Sequence, residues 1–182
     1  MIDEDNRPDI PATERLVVEP ATNDDVDALA DAWLDLAREQ LAYGSHVVPG
    51  ANHSTIRDLF ATHVFNDGLL VARIDGDVVG FASYALERGT FTLDTRRGLL
   101  SNIYVVPEAR NRGVGTALLE TVEDALAERG ATVVMLEAMA SNEGARRFYR
   151  RHGYETYRVG MERTLTSKSP AENDTHSKED GQ

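Results

Sequence analysis

The chain has 182 residues, a formal net charge of −12 and no cysteine. Its length fits one domain of ordinary size, and the lack of cysteine excludes disulfides, cysteine-ligated metals and a thiol nucleophile. The 31 acidic and 19 basic residues argue against a general nucleic-acid or membrane-surface binder, because a negative surface repels phosphate backbones and anionic lipids. No apolar run approaches the ~18 residues that span a bilayer, and the acidic N-terminus lacks the apolar segment of a secretory signal. We therefore expect a cytoplasmic protein.

The basic residues are divided unevenly, with 17 arginines and only two lysines, Lys168 and Lys178. An acidic surface poor in lysine is typical of halophilic proteins, where carboxylates hold water and salt screens their mutual repulsion. A GC-rich genome also favours arginine over lysine. The composition leaves both explanations open.

Both ends of the chain are predicted to be disordered tails, over residues 1–14 and 166–182. The second of these segments has one alanine and no larger apolar residue, so it cannot bury enough surface to become ordered. This leaves a single predicted domain over residues 15–165.

Apolar periodicity predicts the elements within this domain. Thr22 and Asn23 can cap a helix that begins with two acids, where the helix dipole favours negative charge, and Asp75-Gly76-Asp77 is a hairpin signal. The nearly continuous apolar run Ala131–Ala138 is typical of a strand covered on both faces. In chain order we predict a strand at 16–18, helices at 24–41 and 56–64, strands at 69–74, 78–86 and 99–106, a helix at 114–130, a strand at 131–138, a helix at 142–151 and one or more strands within 154–165. This order predicts an α/β fold with a mixed sheet.

One segment between a strand and a helix carries the clearest chemical signal. Pro107 ends the strand, since proline cannot donate to the ladder, and Gly113 and Gly115 let the backbone approach a ligand closely where the next helix begins. Such a site binds anions and suits a pyrophosphate. The segment is not a Walker loop, because it lacks Gly-Lys-Ser/Thr. It is not a dinucleotide fingerprint either, because Leu118 follows Gly115 where a third glycine would be.

Two motifs in this part of the chain resemble the GCN5-related N-acetyltransferase (GNAT) family. Arg110-x-x-Gly113-x-Gly115 is similar to the family's cofactor-binding pattern, Arg/Gln-x-x-Gly-x-Gly/Ala. Downstream, Asn142 and the segment from Phe148 to Tyr154 resemble its Asn…Phe-Tyr-x-x-x-Gly-Phe pattern. The resemblance is strong over about residues 98–154. It implies a mixed central sheet with splayed parallel strands, helices on both faces, and acetyl-CoA bound where strands 99–106 and 131–138 part.

The resemblance also implies which residues bind acetyl-CoA. Backbone groups of one splayed strand are expected to pair with the pantetheine as an added strand would. Amides of the glycine loop are expected to take the pyrophosphate, and an asparagine on the next helix to contact the pantetheine. The implied cofactor-binding residues are Ile103, Tyr104, Val105, Arg110, Asn111, Arg112, Gly113, Val114, Gly115, Thr116 and Asn142.

Tyr149 and Glu137 are the candidate catalytic residues. Tyr149 follows Asn142 by two helical turns, so both face the same side, and its phenol can protonate the departing CoA thiolate; the alternative is a tyrosine of the core. Glu137 lies in an apolar run, where a carboxylate is expected to be desolvated and therefore more basic. Its spacing resembles the ribosomal-protein N-terminal acetyltransferase branch, in which the equivalent Glu accepts a proton. The alternative is a Glu paired with an arginine, with a chain of water molecules as the base.

These features predict an acetyl-CoA-dependent N-acetyltransferase that transfers an acetyl group directly to a primary amine of a small molecule or of a peptide or protein N-terminus. The alternatives are a non-catalytic acyl-CoA-binding or sensing module, and an acyltransferase that uses a longer acyl group or a hydroxyl acceptor. The protein could also form a homodimer, which the sequence leaves open.

The acceptor is the least specified part of this prediction. We expect no metal site, because the spacing of His46, His53 and His63 is not that of a ligand set. A cationic acceptor could be attracted by acidic side chains near the predicted acceptor segments, such as Glu39, Asp58, Glu87 and Asp94.

Overall fold

The computed structural model describes residues 15–89 and 92–165. The predicted tails lie outside the described residues, so the limits of the domain stay predictions. The strands are β1 (Leu16–Pro20), β2 (Leu69–Ile74), β3 (Asp77–Leu86), β4 (Arg97–Val105) and β5 (Val133–Leu136). They form one sheet of order β1-β2-β3-β4-β5. The first four strands are antiparallel neighbours and β5 runs parallel to β4, which confirms the predicted mixed α/β sheet.

The described residues include four α-helices: α1 (Val26–Leu41), α2 (His53–Phe65), α3 (Val114–Glu128) and α4 (Glu143–Arg151). One apolar cluster joins α1 and α2 to the sheet around Leu29, Phe60 and Phe81. A second joins α3 to the sheet around Leu118 and Leu126. Helices therefore lie on both faces, as predicted, because successive side chains of a strand point to opposite faces and both faces are apolar.

The predicted helix start near Thr22 and the predicted hairpin at Asp75-Gly76 are both confirmed. The backbone N–H and the hydroxyl of Thr22 both donate to Asp25 Oδ2, at 2.8 Å and 3.0 Å, within a short 3-10 turn that leads into α1. Asp75 and Gly76 adopt left-handed backbone angles, φ 52° and 95°, as a tight hairpin between β2 and β3 requires.

A β-bulge at Ser101 changes the direction in which β4 presents its side chains. Asn102 pairs with Ser83, but the next pair is Leu100 with Tyr84, so Ser101 is the extra residue. Leu100 belongs to the apolar cluster of α3, whereas Tyr104 belongs to that of α1 and α2. In a regular strand, two residues four positions apart would face the same side. After the bulge, the side chains of β4 therefore face the side of the sheet opposite to the one that regular alternation would give them.

Two expectations about the end of the sheet were wrong. The run 131–138 was expected to be a strand covered on both faces, but β5 has only four residues, all partly or fully exposed. β5 is the edge of the sheet, and an apolar run by itself does not distinguish an edge strand from a central one. The strands expected within 154–165 are not formed. Tyr157, Val159 and Met161 alternate as the apolar residues of a strand do, but their side chains are exposed. Alternation alone does not form a strand, because a strand also needs a neighbouring strand for its hydrogen bonds.

Candidate active site

The parallel strands β4 and β5 part in the middle of β4. Their last pair is Leu100 with Leu136, whereas β4 continues to Val105. Residues 101–105 of β4 therefore have no partner in β5 along that edge. The bulge at Ser101 lies where the two strands separate, and the edge beyond it can add another extended chain. The predicted notch between the strands is present.

The glycine loop joins the open end of β4 to α3. Asn111 and Gly113 both have left-handed backbone angles, φ 60° and 82°, and α3 begins immediately after Gly113. The first N–H groups of an α-helix have no carbonyl one turn earlier, so this end of α3 can hold an anion. A Cβ on Gly115 would lie 3.5 Å from the ring of Phe148, which is ordinary contact. A larger side chain there would meet α4.

Arg110, the first residue of the glycine motif, is paired within the protein. Its Nη2 lies 2.7 Å and 2.8 Å from the two carboxylate oxygens of Glu39 on α1. Its Nε donates to the carbonyl of Val105 at 2.9 Å, and its guanidinium lies over the ring of Tyr104. The side chain therefore ties the glycine loop to α1. The sequence analysis gave Arg110 a role in cofactor binding and missed Glu39 as its partner, because the two are 71 positions apart.

A small cleft of about 50 Å³ lies beside the point where β4 and β5 part. It brings together Glu137, just past the end of β5, and Tyr149 on α4, the two residues that the sequence analysis singled out as catalytic. Its volume can hold an amino group or a few water molecules. The residues that line the cleft are Leu36, Gln40, Leu100, Ser101, Asn102, Ile103, Glu137 and Tyr149.

The two candidate catalytic residues differ in their surroundings. The ring of Tyr149 packs edge-on against Phe148 and Tyr154, with centroids 5.3 Å and 5.7 Å away. Burial raises the pKa of Tyr149 to about 12, so its phenol is protonated at neutral pH. Glu137 is exposed, and the desolvation expected for it from the apolar run is absent because β5 has already ended. Within residues 15–89 and 92–165 it forms no ion pair with an arginine.

Asn142 caps the helix that carries Tyr149. Its Oδ1 accepts a hydrogen bond from the backbone N–H of Ala145 at 3.0 Å, as is typical of an N-cap asparagine. This bond fixes the start of α4. Two turns later, the helix places the phenol of Tyr149 at the cleft.

Thr116, in the first turn of α3, is held by His152 at the end of α4. The Nδ1 of His152 lies 2.9 Å from the carbonyl of Phe148 and must therefore carry a proton, because a carbonyl only accepts. In the neutral ring Nε2 is then the acceptor, and the Thr116 hydroxyl, 3.2 Å away, donates to it. His152 had no predicted role. It joins the end of α4 to the first turn of α3.

Two of the acids proposed to attract the acceptor are paired with arginines. Glu39 binds Arg110, and Glu87 lies 2.6 Å from Arg97. Of the histidines, His46 contacts Glu162 and His53 contacts Asp31, both at 3.0 Å. The described part of the chain contains no group of three or more His, Asp or Glu side chains that could hold a metal ion. None of the helices described in residues 15–89 and 92–165 has the length and apolar character needed to cross a bilayer.

The structure is thus an α/β protein in which two parallel strands part next to a glycine loop that leads into a helix. The sequence model of the Acetyltransferase (GNAT) family matches residues 30–154. The chain belongs to this family, which confirms the resemblance found in its motifs.

Relatives of similar sequence are named N-acetyltransferases. An uncharacterized N-acetyltransferase of Mycobacterium tuberculosis is 32% identical over 146 residues, which is 75% of this chain and 88% of that protein. An uncharacterized N-acetyltransferase of Archaeoglobus fulgidus is 38% identical over 85 residues, 46% of this chain and 56% of that protein. The chain thus spans about half the length of the first relatives it matches.

Solved structures share the fold at lower identity. A predicted acetyltransferase with acetyl-CoA from Clostridium acetobutylicum aligns with a TM-score of 0.66 at 19% identity, over 83% of this chain and 97% of that one. At this identity the likeness shows the fold alone. It confirms the predicted GNAT-like arrangement of sheet and helices.

Proposed function

We propose that the protein is an acetyl-CoA-dependent N-acetyltransferase that acetylates a primary amine of a small molecule or of a peptide or protein N-terminus. One observation carries the proposal: Glu137 and Tyr149, which are 12 positions apart, line one cleft at the point where β4 and β5 part. A proton acceptor and a proton donor at the same small cleft are the two groups that transfer to an amine needs.

The hydrogen-bonding groups at the site match the chemistry of acetyl-CoA. The free edge of β4 offers backbone groups for an extended chain, and the start of α3 offers N–H groups for phosphate oxygens. The Clostridium acetobutylicum relative of this fold carries acetyl-CoA, which supports the same co-substrate here. When bound, acetyl-CoA would supply an activated acetyl thioester.

The cleft residues would move two protons during the transfer. A bond forms between the amine nitrogen and the acetyl carbon as the carbon–sulfur bond breaks, with backbone N–H groups near the Ser101 bulge available to the carbonyl oxygen. Glu137 takes the proton that the nitrogen loses, directly or through water. Tyr149 gives its proton to the departing sulfur, and the two residues then exchange a proton through solvent to restore the starting state. Exposure of Glu137 suits a group that must exchange protons with water.

The test is a panel of small amines and peptides assayed for thiol release from acetyl-CoA. Turnover of an amine or peptide N-terminus, with one acetyl group added per thiol released, supports the proposal. If acetyl-CoA binds but no amine turns over, the protein is an acyl-CoA-binding module. If longer acyl-CoA or hydroxyl acceptors are used in preference, it is a different acyltransferase. A cytoplasmic location and a homodimer stay predictions beside this function.

A further inference from the structure

Asn102 is a polar residue of β4 whose side chain joins three elements at the cleft. Its Oδ1 accepts a hydrogen bond from Nε1 of Trp33 on α1 at 3.2 Å. Its Nδ2 donates to the hydroxyl oxygen of Ser83 on β3 at 2.8 Å, and Ser83 is fully buried. Asn102 follows the bulged Ser101 and lines the cleft together with Glu137 and Tyr149.

These two bonds fix which way the amide of Asn102 is turned. The indole nitrogen of Trp33 can only donate, so the oxygen of the amide must face Trp33 and its nitrogen must face Ser83. An amide oxygen has two lone pairs and an amide nitrogen has two hydrogens. After both internal bonds, Asn102 keeps one acceptor and one donor position for a ligand in the cleft.

A neutral amide can hold the amine nucleophile without adding a second carboxylate to the cleft. The amine must lose its positive charge before it can attack, and Glu137 is the group in the cleft that is proposed to take that proton. An amide oxygen can accept an N–H bond from the neutral amine with less preference for the charged form. The titratable side chains that line the cleft are Glu137 and Tyr149, since α1 contributes Leu36 and Gln40 and β4 contributes uncharged residues.

On the proposed function, we infer that Asn102 binds the amino group of the acceptor and that Trp33 is a positioning residue that holds Asn102 for this contact. Trp33 and Asn102 are 69 positions apart. Their bond also connects α1, whose Leu36 and Gln40 line the cleft, to the strand on which the reaction takes place.

The test uses steady-state kinetics with the best acceptor of the amine panel. Asn102→Ala should raise the acceptor KM about tenfold, the scale of one lost hydrogen bond, and change the acetyl-CoA KM less than about twofold. Trp33→Phe keeps the ring and removes the N–H, and it should also raise the acceptor KM. In the Asn102→Ala background it should add nothing further, because it acts through Asn102. Asn102→Asp should move the acidic limb of kcat/KM to higher pH, because a carboxylate in contact with the amine stabilises its charged form.

Each outcome decides for or against the inference. An acceptor KM within about twofold of wild type in Asn102→Ala overturns it, and so do multiplying effects of Trp33→Phe and Asn102→Ala. If Asn102→Ala does not fold, as judged by its melting temperature, Trp33→Phe and the pH profile of Asn102→Asp decide. If the wild type acetylates no amine, the proposed function fails and this inference falls with it. Turnover with an unchanged acceptor KM overturns only this inference.

Discussion

At the scale of single residues, Tyr149 is the proposed proton donor. Burial raises its pKa to about 12, so the phenol carries its proton at neutral pH and can donate a hydrogen bond to the departing sulfur. Tyr149→Phe removes only the hydroxyl, so packing against Phe148 and Tyr154 and the binding of acetyl-CoA should barely change. We expect kcat to fall about 10²-fold or more, the scale of a positioned acid, with little change in the acceptor KM.

Glu137→Gln provides the comparison for this measurement. If Glu137 is the base, its replacement should flatten the acidic limb of the pH profile, because the group that must be ionised is gone. Tyr149→Phe should leave that limb in place. Retention of most of the wild-type kcat by Tyr149→Phe would show that the thiolate leaves without a general acid.

Gly115 tests the placement of the anion site at residue scale. Gly115→Asp puts a carboxylate at the start of α3, where it would repel a pyrophosphate and press on Phe148. We expect it to abolish the rise in melting temperature that acetyl-CoA causes by binding the folded state. Gly115→Ala is the matched control. Its Cβ would lie at ordinary contact, 3.5 Å from Phe148, so it should fold and keep most of the shift; an undiminished shift in Gly115→Asp would place the site elsewhere.

At the scale of elements, Asp25 links the start of α1 to β2 and shows how one carboxylate makes stability depend on pH. Asp25 is 8% exposed and is ion-paired with Arg73, which also contacts Glu19 at 3.0 Å. Burial by itself would raise the pKa of Asp25, but hydrogen bonds from Thr22 and Arg73 outweigh burial and hold the pKa below its usual value. A carboxyl with a lowered folded pKa stabilises the protein above its unfolded pKa, near 3.9, and loses this contribution as pH falls through the folded value.

We therefore expect Asp25→Asn to lower the free energy of unfolding at pH 7 by about 2–4 kcal/mol, since it leaves Arg73 without its buried partner. The loss should begin to shrink below the unfolded pKa, near 3.9, where the carboxyl of the unfolded chain becomes protonated, and it should disappear once pH falls through the lower folded pKa of Asp25. Urea unfolding at several pH values measures both effects. Asp24→Asn is the control, because Asp24 is the exposed neighbour in the same turn; an equal loss in both variants would assign the effect to the helix dipole instead of the ion pair.

At the scale of the whole molecule, the net charge of −12 predicts a dependence of stability on salt. If the acidic surface is of the halophilic kind, the melting temperature should rise as KCl is increased from low to molar concentration, because self-repulsion is screened. Most of the rise should come at the lower concentrations, since the Debye length is already about 8 Å at 0.15 M. A flat curve would leave the base composition of the genome as the explanation for the many arginines.

Elements and motifs that depend on neighbouring residues could be predicted from the sequence. The helix after Thr22, the hairpin at Asp75-Gly76 and the start of α3 at Gly113 follow from local capping, turn geometry and apolar spacing, which act within a few residues of each other. The spacing of Asn142 and Tyr149 predicted one helix that carries both, and the structure makes Asn142 the N-cap of the helix that bears Tyr149. The family followed from the same short segments.

Contacts across the sheet could not be predicted in this way, because they depend on how the elements pack. The bulge at Ser101, which ends the pairing with β5 and turns Asn102 toward Trp33, leaves no mark in the alternation of apolar residues. Arg110 pairs with Glu39, 71 positions earlier in the chain, and the packing of β5 and α4 brings Glu137 and Tyr149 to one cleft. The exposure of residues 155–165 has the same origin. Periodicity specifies which side chains share a face, but what covers that face depends on the packing of the whole chain.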